Sequence, residues 1–219
     1  HEEALRIADK VGHIMNSGDG FYGGAFVAGL YSTAFYLDNP RDIVEAALAP
    51  IPAESTFYRC IRDVLDFHRL HPSDWVACWE YLQRNWNIDV GCPKGAFLSF
   101  NIDAKLNSAF VALAMLYGNG DFQRTLDLSC AMGFDCDNQA ATVSGILGII
   151  MGAKKLPASL TMPVEGWTKP FNDRYINITR FDMPDASIDD IINRTYNQAI
   201  AVVKANGGSV KGNTIYINP

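Results

Sequence analysis

The sequence has few charged side chains and no cluster of basic ones. Charged residues make up 19% of its 219 positions, with 18 Lys and Arg against 24 Asp and Glu, and the net charge is −6. A protein that holds nucleic acid through its phosphates needs a basic patch or stripe, so nucleic acid is excluded as an expected partner. The same lack of basic charge excludes a polybasic contact with a membrane surface.

A long apolar run is also missing. The longest uncharged stretch, residues 21–37, has 17 residues and is rich in Gly, Ala and Ser. A helix that spans a bilayer takes about 20 strongly apolar residues. We therefore expect no membrane span and interpret this stretch as a buried helix.

A fully paired set of cysteines is absent as well. The five cysteines are an odd number, and their spacing contains no CxxC pair (Cys60, Cys78, Cys92, Cys130 and Cys136). A complete disulfide framework and a zinc site of the CxxC type are both excluded by this pattern. We expect reduced, mostly buried thiols, and no feature of the sequence indicates a compartment.

Helical periodicity is what the sequence does contain. Over residues 4–15 and in most later segments, apolar side chains recur three and four positions apart, and capping residues and glycines separate about eight such segments. No alternating strand series occurs, although residues 213–218 could form a lone strand. The pattern loosens after residue 157. We therefore predict an all-α chain with one helical domain over residues 1–157 and a small irregular C-terminal extension, 158–219, that packs on it.

The first segment that could carry chemistry is the glycine loop, residues 17–24, with the sequence Ser-Gly-Asp-Gly-Phe-Tyr-Gly-Gly. Gly18, Gly20 and Gly23 match the letters of a dinucleotide fingerprint, but that fingerprint follows a strand and this loop follows a predicted helix. Such a loop can instead present backbone N–H groups and a helix N-terminus to a phosphate. The alternative is a tight turn between two closely packed helices, and the residues alone leave both open.

The second segment is the aspartate loop, residues 133–138, with the sequence Gly-Phe-Asp-Cys-Asp-Asn. Asp135, Asp137 and Asn138 offer three oxygen donors, which suit Mg²⁺ or a similar hard cation better than zinc. The alternative is that Asp135 or Asp137 caps the N-terminus of the following helix. The residues alone leave both interpretations open.

Extended to residue 157 (GFDCDNQAATVSGILGIIMGAKKLP), the aspartate loop resembles the ADP-ribosylglycohydrolase family. The shared pattern is G-x-D-x-D, a small-residue helix with repeated glycines, and a Leu-Pro pair. The resemblance extends through residues 101–107, 51–55 and 22–24 and covers roughly 4–157. It implies the family's orthogonal multi-helix bundle, and hydrolysis of an ADP-ribosyl bond at the anomeric carbon of the distal ribose with two Mg²⁺ ions.

The resemblance also implies roles for individual residues. It makes Asp135, Asp137 and Asn138 metal ligands, with Asn138 standing where the family usually has Thr or Ser. Five residues of the glycine loop would line the ADP-ribose cleft (Gly18, Asp19, Gly20, Tyr22 and Gly23). No catalytic residue is assigned, because the family's N-terminal acidic motif and its Thr-Asp-Asp segment have no counterpart in the sequence.

Three functions follow as expectations. The first is the C-terminal portion of a Mg²⁺-dependent hydrolase that removes ADP-ribose from a modified protein or small conjugate, with an N-terminal segment of the same protein as a partner. The second is a non-catalytic helical module that binds ADP-ribose or a nucleotide, or an inactive family remnant. The third is a helical interaction domain in which the two aspartates act only as helix caps.

Overall fold

The structure is a computed structural model that describes residues 2–87, 102–163, 165–166, 173–176, 181–182 and 184–217. The loop predicted over residues 87–100 lies outside this part from residue 88 onward, and so does Cys92. The chain divides into two compact units, His1–Pro157 and Ala158–Pro219. That the second unit packs on the first stays a prediction.

The first unit is helical, which confirms the predicted fold class. Its elements are α1 (Glu2–Gly12), α2 (Asp19–Thr33), α3 (Pro40–Leu48), α4 (Thr56–Leu70), α5 (Trp75–Trp86), α6 (Ala104–Gly118), α7 (Phe122–Ala131), α8 (Cys136–Met151) and a 3₁₀ turn (Ala153–Lys155). Across the described ranges of the chain, no helix combines the length and the apolar character that a membrane crossing requires.

The second unit contains α9 (Ala158–Thr161), α10 (Ile188–Ala205) and the strands β1 (Ser209–Lys211) and β2 (Thr214–Tyr216). The strands are antiparallel, and Val210 pairs with Ile215. The prediction of a lone strand near the C-terminus is therefore wrong. The chain doubles back at Gly212, whose φ of 58° suits a residue without a side chain, and this gives β2 its partner.

Short polar side chains fix where the helices begin. Ser55 accepts a hydrogen bond from the Tyr58 amide at 3.0 Å, and Asp121 accepts one from Arg124 at 2.7 Å. Two further caps are aspartates. Asp74 caps α5, because its carboxylate accepts from the Ala77 amide at 3.0 Å. Helix α6 begins at Ala104, because Asp103 is its cap and accepts from the Leu106 amide at 2.8 Å.

Helix α6 is the centre of the first unit. It is apolar on every side, and from Lys105 to Gly118 all of its residues except Asn107 are buried. Helices α2, α3, α4, α5, α7 and α8 all pack against it. A helix that is apolar all round is expected in this central position. The polar side chains of α6 therefore collect in its first turn, around Lys105, Asn107 and Ser108.

Glycines allow two close approaches around this centre. A Cβ atom at Gly118 would lie 2.0 Å from the hydroxyl of Thr125, and one at Gly145 would lie 2.2 Å from the hydroxyl of Tyr31 on α2. Gly148, one turn further along α8, does not mark such an approach. A Cβ atom at Gly148 would have no neighbour within 4 Å among the described residues.

Candidate functional site

The glycine loop and the aspartate loop both contact the first turn of α6. A Cβ atom at Gly23 would lie 3.2 Å from the Cβ atom of Ala104 and 3.7 Å from the Ser108 hydroxyl. The side-chain oxygen of Asn107 accepts a hydrogen bond from the Asp135 amide at 3.2 Å. Residues that lie far apart in the sequence thus meet around one turn of a buried helix.

Gly18 sets the conformation of the glycine loop. It is the cap residue of α2 and has a φ of 55°, in the left-handed region that favours glycine. No side chain caps the helix from this position. The first amide groups of a helix have no partner within the helix, so this N-terminus can present N–H donors to a ligand.

Asp19 joins three helices. Its two carboxylate oxygens accept the hydroxyl of Thr56, the first residue of α4, at 2.9 and 2.7 Å. The ammonium nitrogen of Lys105 on α6 lies 3.7 Å from one of these oxygens, and the Lys105 side chain is 5% exposed. The same nitrogen lies 5.7 Å from the centre of the Trp86 ring, which gives it a second favourable contact.

The other predicted residues of the glycine loop have packing roles. Tyr22 is half-buried, with its ring centre 6.4 Å from that of Phe57. Gly23 is buried between α2 and α6, and a Cβ atom at Gly20 would lie 3.2 Å from the side-chain oxygen of Asn16. The tight-turn interpretation therefore accounts for Tyr22, Gly20 and Gly23, and the Asp19 carboxylate is held by Thr56 and Lys105.

Two consecutive left-handed residues shape the aspartate loop. Gly133 has a φ of 74° and Phe134 a φ of 60°, and the Phe134 ring packs 5.3 Å from that of Phe110 on α6. Asp135 occupies the cap position of α8, yet its side chain makes no capping hydrogen bond. The alternative in which Asp135 caps the helix with its carboxylate is therefore wrong. Asp137 lies in the first turn of α8, where its negative charge interacts favourably with the helix dipole.

The carboxylates of Asp135 and Asp137 repel each other when both are ionised. Burial raises the pKa of Asp135 above its usual value, and the charge of Asp137 beside it raises that pKa further. Asp137 and Asn138 are exposed, and the Asn138 oxygen accepts the Thr142 hydroxyl at 3.4 Å. A divalent cation would relieve this repulsion, and carboxylate and amide oxygens are donors that Mg²⁺ prefers.

The donor set therefore fits a hard cation in kind. Asp135, Asp137 and Asn138 supply only part of the octahedral ligand shell that Mg²⁺ takes. Among the residues described by the structure, no group of three or more His, Cys, Asp or Glu side chains comes together as a metal cluster.

Four residues of the site were missed by sequence reasoning: Thr56, Lys105, Asn107 and Gln139. Gln139 is 1% exposed and donates to the Asn107 oxygen at 2.7 Å and to the Gly133 carbonyl at 3.1 Å. The sequence signal that could have identified two of them is a polar residue inside an apolar helix: Lys105 in α6 and Gln139 in α8. A buried polar side chain is costly unless it has a partner, so each points to a contact elsewhere in the fold.

A surface groove of about 500 Å³ lies elsewhere on the first unit, along one side of α7. It is lined by Trp75, Asp121, Gln123, Arg124, Asp127, Leu128 and Ala131. None of the residues that the sequence singles out for metal or substrate lines this groove, and the site at the first turn of α6 does not depend on it.

Comparison with known proteins gives one informative result. The model of a protein family described as ADP-ribosylglycohydrolase matches residues 1–195. This range includes the whole glycine loop and the whole aspartate loop, and it runs past residue 157, where the resemblance in the sequence ended. No curated protein and no solved structure gave a match.

Proposed function

The chain belongs to the ADP-ribosylglycohydrolase family, and from that membership we propose that it acts in the hydrolysis of ADP-ribose conjugates. The bond that breaks joins the anomeric carbon of the distal ribose to the modified group. Water gives its hydroxyl to that carbon and its proton to the leaving group. The observation that carries the proposal is that the glycine loop and the aspartate loop both contact the start of the same buried helix, α6.

Asp135, Asp137 and Asn138 would hold a divalent cation, for which Mg²⁺ is the candidate. The chemistry that Mg²⁺ supplies when bound is the polarisation of ribose hydroxyls and of the attacking water. Two features of the aspartate loop support this role. The Asp135 carboxylate is not used as a helix cap. The carboxylates of Asp135 and Asp137 lie close together, and within the described residues neither forms an ion pair with a basic side chain.

The glycine loop would bind the ADP-ribose itself. The N-terminus of α2 carries the positive end of the helix dipole and can donate N–H groups to the diphosphate. The Asp19 carboxylate can accept hydroxyl groups of a ribose, and Thr56 and Lys105 hold it in place. These contacts give the loop a preformed geometry before any ligand arrives.

A second function is binding of ADP-ribose without turnover. It is favoured by the lack of a Thr-Asp-Asp segment in the sequence and by the partial ligand shell of the described residues. The two functions share the substrate and the aspartate loop, and they differ in whether the bond is cleaved.

Two measurements on the same preparation separate these functions. Calorimetric titration with ADP-ribose, with and without Mg²⁺, reports binding, and release of ADP-ribose from an ADP-ribosylated protein reports turnover. Asp135→Asn is the test variant. Asp127→Asn is its matched control, because Asp127 is an exposed carboxylate on α7 that accepts a hydrogen bond from Gln123.

Release that depends on Mg²⁺, that Asp135→Asn abolishes and that Asp127→Asn retains would support the hydrolase. Binding that responds to Mg²⁺, with no release by the wild type, would support the binding module instead. A chain that binds no ADP-ribose under either condition would contradict both functions.

A further inference from the structure

The side chains of Asn107 and Gln139 form a clamp on the backbone of the aspartate loop. The Asn107 oxygen accepts the Asp135 amide at 3.2 Å and the Gln139 side-chain amide at 2.7 Å. The same Gln139 nitrogen also donates to the carbonyl of Gly133 at 3.1 Å. Two amide groups thus hold both ends of the segment from Gly133 to Asp135.

The direction of the Asn107 amide follows from its partners. Its nitrogen donates to the carbonyl of Asp103, one turn earlier in α6, at 2.9 Å. Because that partner is an acceptor and the two partners of the oxygen are donors, only one orientation satisfies all three hydrogen bonds. The oxygen of Asn107 is therefore committed to the aspartate loop.

The buried side chain of Gln139 carries an energetic cost. It is 1% exposed, and its side-chain oxygen is buried with no hydrogen-bond partner in the described part of the chain. A buried acceptor without a partner destabilises a fold, and an apolar residue of the same length would avoid that penalty. The compensation visible in the structure is the pair of bonds that its nitrogen donates to Asn107 and Gly133.

We infer that Asn107, acting with Gln139, is a positioning residue that holds the aspartate loop in the geometry that binds a divalent cation. The inference rests on the proposed function, because it takes Asp135 and Asp137 as the ligands. Phe134 lies between the clamped residues in a left-handed conformation, so the backbone there needs outside support. Partners that orient metal ligands typically change metal affinity by about 10- to 100-fold when removed.

The clamp is also electrically neutral. Two amides hold the loop without adding positive charge beside Asp135 and Asp137, so its negative potential is kept for the cation. Lys105 lies in the same turn of α6, and it forms an ion pair with Asp19 of the glycine loop. A cation added to the clamp would repel the metal, whereas an anion would attract it.

The test is titration of the full chain with Mn²⁺, followed by electron paramagnetic resonance, which counts free and bound metal without any need for turnover. We expect Asn107→Ala to weaken Mn²⁺ binding by about tenfold or more. Asn107→Asp keeps the acceptor for both donors, so we expect it to bind Mn²⁺ within about threefold of the wild type or more tightly, because it adds a negative charge.

The matched control is Asn85→Ala on α5. Asn85 donates to the carbonyl of Tyr81 four residues earlier, as Asn107 does to Asp103, and this hydrogen bond does not involve the aspartate loop. We expect this control to bind Mn²⁺ as the wild type does. Gln139→Met is a second test variant of similar shape, and it decides the question if Asn107→Ala does not fold.

The two failures can be told apart. If the wild type binds no Mn²⁺, the proposed cation site and the inference are both wrong. If the wild type binds Mn²⁺ and both Asn107→Ala and Gln139→Met bind it equally well, the inference alone is wrong. Weakening in both variants, with recovery in Asn107→Asp, supports the inference, because Asn107→Asp restores the oxygen that accepts from Asp135 and Gln139.

Discussion

The glycine loop and the aspartate loop are held to the same turn of α6 by different chemistry. Lys105 and Thr56 hold Asp19 of the glycine loop through an ion pair and a hydroxyl bound to both carboxylate oxygens. Asn107 and Gln139 hold the aspartate loop through neutral amide groups that bind its backbone. One loop is thus positioned through a charged side chain and the other through its main chain.

The difference follows the charge of the ligand that each loop is proposed to take. A buried ammonium group beside the glycine loop offsets the Asp19 charge and leaves the N-terminus of α2 attractive to a diphosphate. The same group beside the aspartate loop would compete with a metal cation. Neutral donors and acceptors avoid that competition while still fixing the backbone. The comparison therefore predicts that the two loops respond differently to the loss of a charge.

The largest effect is expected from Lys105→Met, which leaves the Asp19 carboxylate without its buried cation. Removing one partner of a buried ion pair is strongly destabilising, and because the Asp19 side chain is 29% exposed we expect a loss of about 2 kcal/mol. Chemical denaturation measures it. The double variant Lys105→Met/Asp19→Asn removes both charges and should recover at least half of that loss.

Lys154→Met is the control for this prediction, since Lys154 is exposed and belongs to the 3₁₀ turn after α8. It should change the free energy of unfolding by less than about 0.5 kcal/mol. A double variant that is no more stable than Lys105→Met would contradict the ion-pair explanation. It would show that the lysine acts through its packing against Trp86 instead.

A smaller effect separates a true helix cap from the aspartate loop. Ser55→Ala removes the hydroxyl that accepts the Tyr58 amide and should cost about 1 kcal/mol of stability. Asp135→Ala removes no capping bond and should cost less than about 0.5 kcal/mol. Thermal unfolding without metal measures both. Mn²⁺ binding should show the reverse order, with loss in Asp135→Ala and none in Ser55→Ala, and equal destabilisation would restore the cap interpretation.

Local sequence signals were enough for most of the fold. Apolar side chains three and four positions apart, in segments separated by capping residues and glycines, predicted an all-α chain, and the structure confirms it. These signals are short-range: a cap acts over three residues and a helical stripe over one turn. Strand β1 was missed because three residues are too few to show an alternating pattern.

Only part of the candidate site could be predicted from the sequence. The aspartate loop is recognisable from its composition. Its contact with Asn107 joins residues 28 positions apart, and the sequence around either residue does not predict this contact. Thr56 and Asp19 are separated by 37 positions in the same way. Such pairs are decided by how α2, α4, α6 and α8 pack, so they become visible only in the folded chain.

Thr56→Val tests the hydroxyl contribution to the glycine loop at nearly constant shape. Asp19 would then keep Lys105 and lose the donor shared by its two oxygens, and we expect a loss of about 0.5–1 kcal/mol because the site is partly exposed. Thr56→Ser retains the hydroxyl and should stay close to the wild type. If Thr56→Ser loses as much stability as Thr56→Val, the missing methyl group and not the hydrogen bond is responsible.

The smallest effect is the pH dependence of stability at Asp135. Its pKa is raised in the folded chain by burial and by the charge of Asp137, so the folded state holds this proton more tightly than the unfolded state. Stability of the wild type therefore falls as pH rises from the ordinary carboxyl pKa of 3.8 through the raised value. Asp135→Asn cannot titrate and should gain stability relative to the wild type across that interval, measured by denaturation without metal.

Asp66→Asn gives a matched control of the opposite sign. Its hydrogen bonds with Arg62 lower the pKa of Asp66, so the ionised carboxylate contributes stability that is lost as pH falls through that lowered value. The Asp66 side chain is 44% exposed, and solvent screening keeps its effect small. If Asp135→Asn and Asp66→Asn shift stability in the same direction at neutral pH, then Asp135 is stabilised as an anion without metal. The aspartate loop would then resemble the glycine loop, whose Asp19 is paired with a cation from a neighbouring helix.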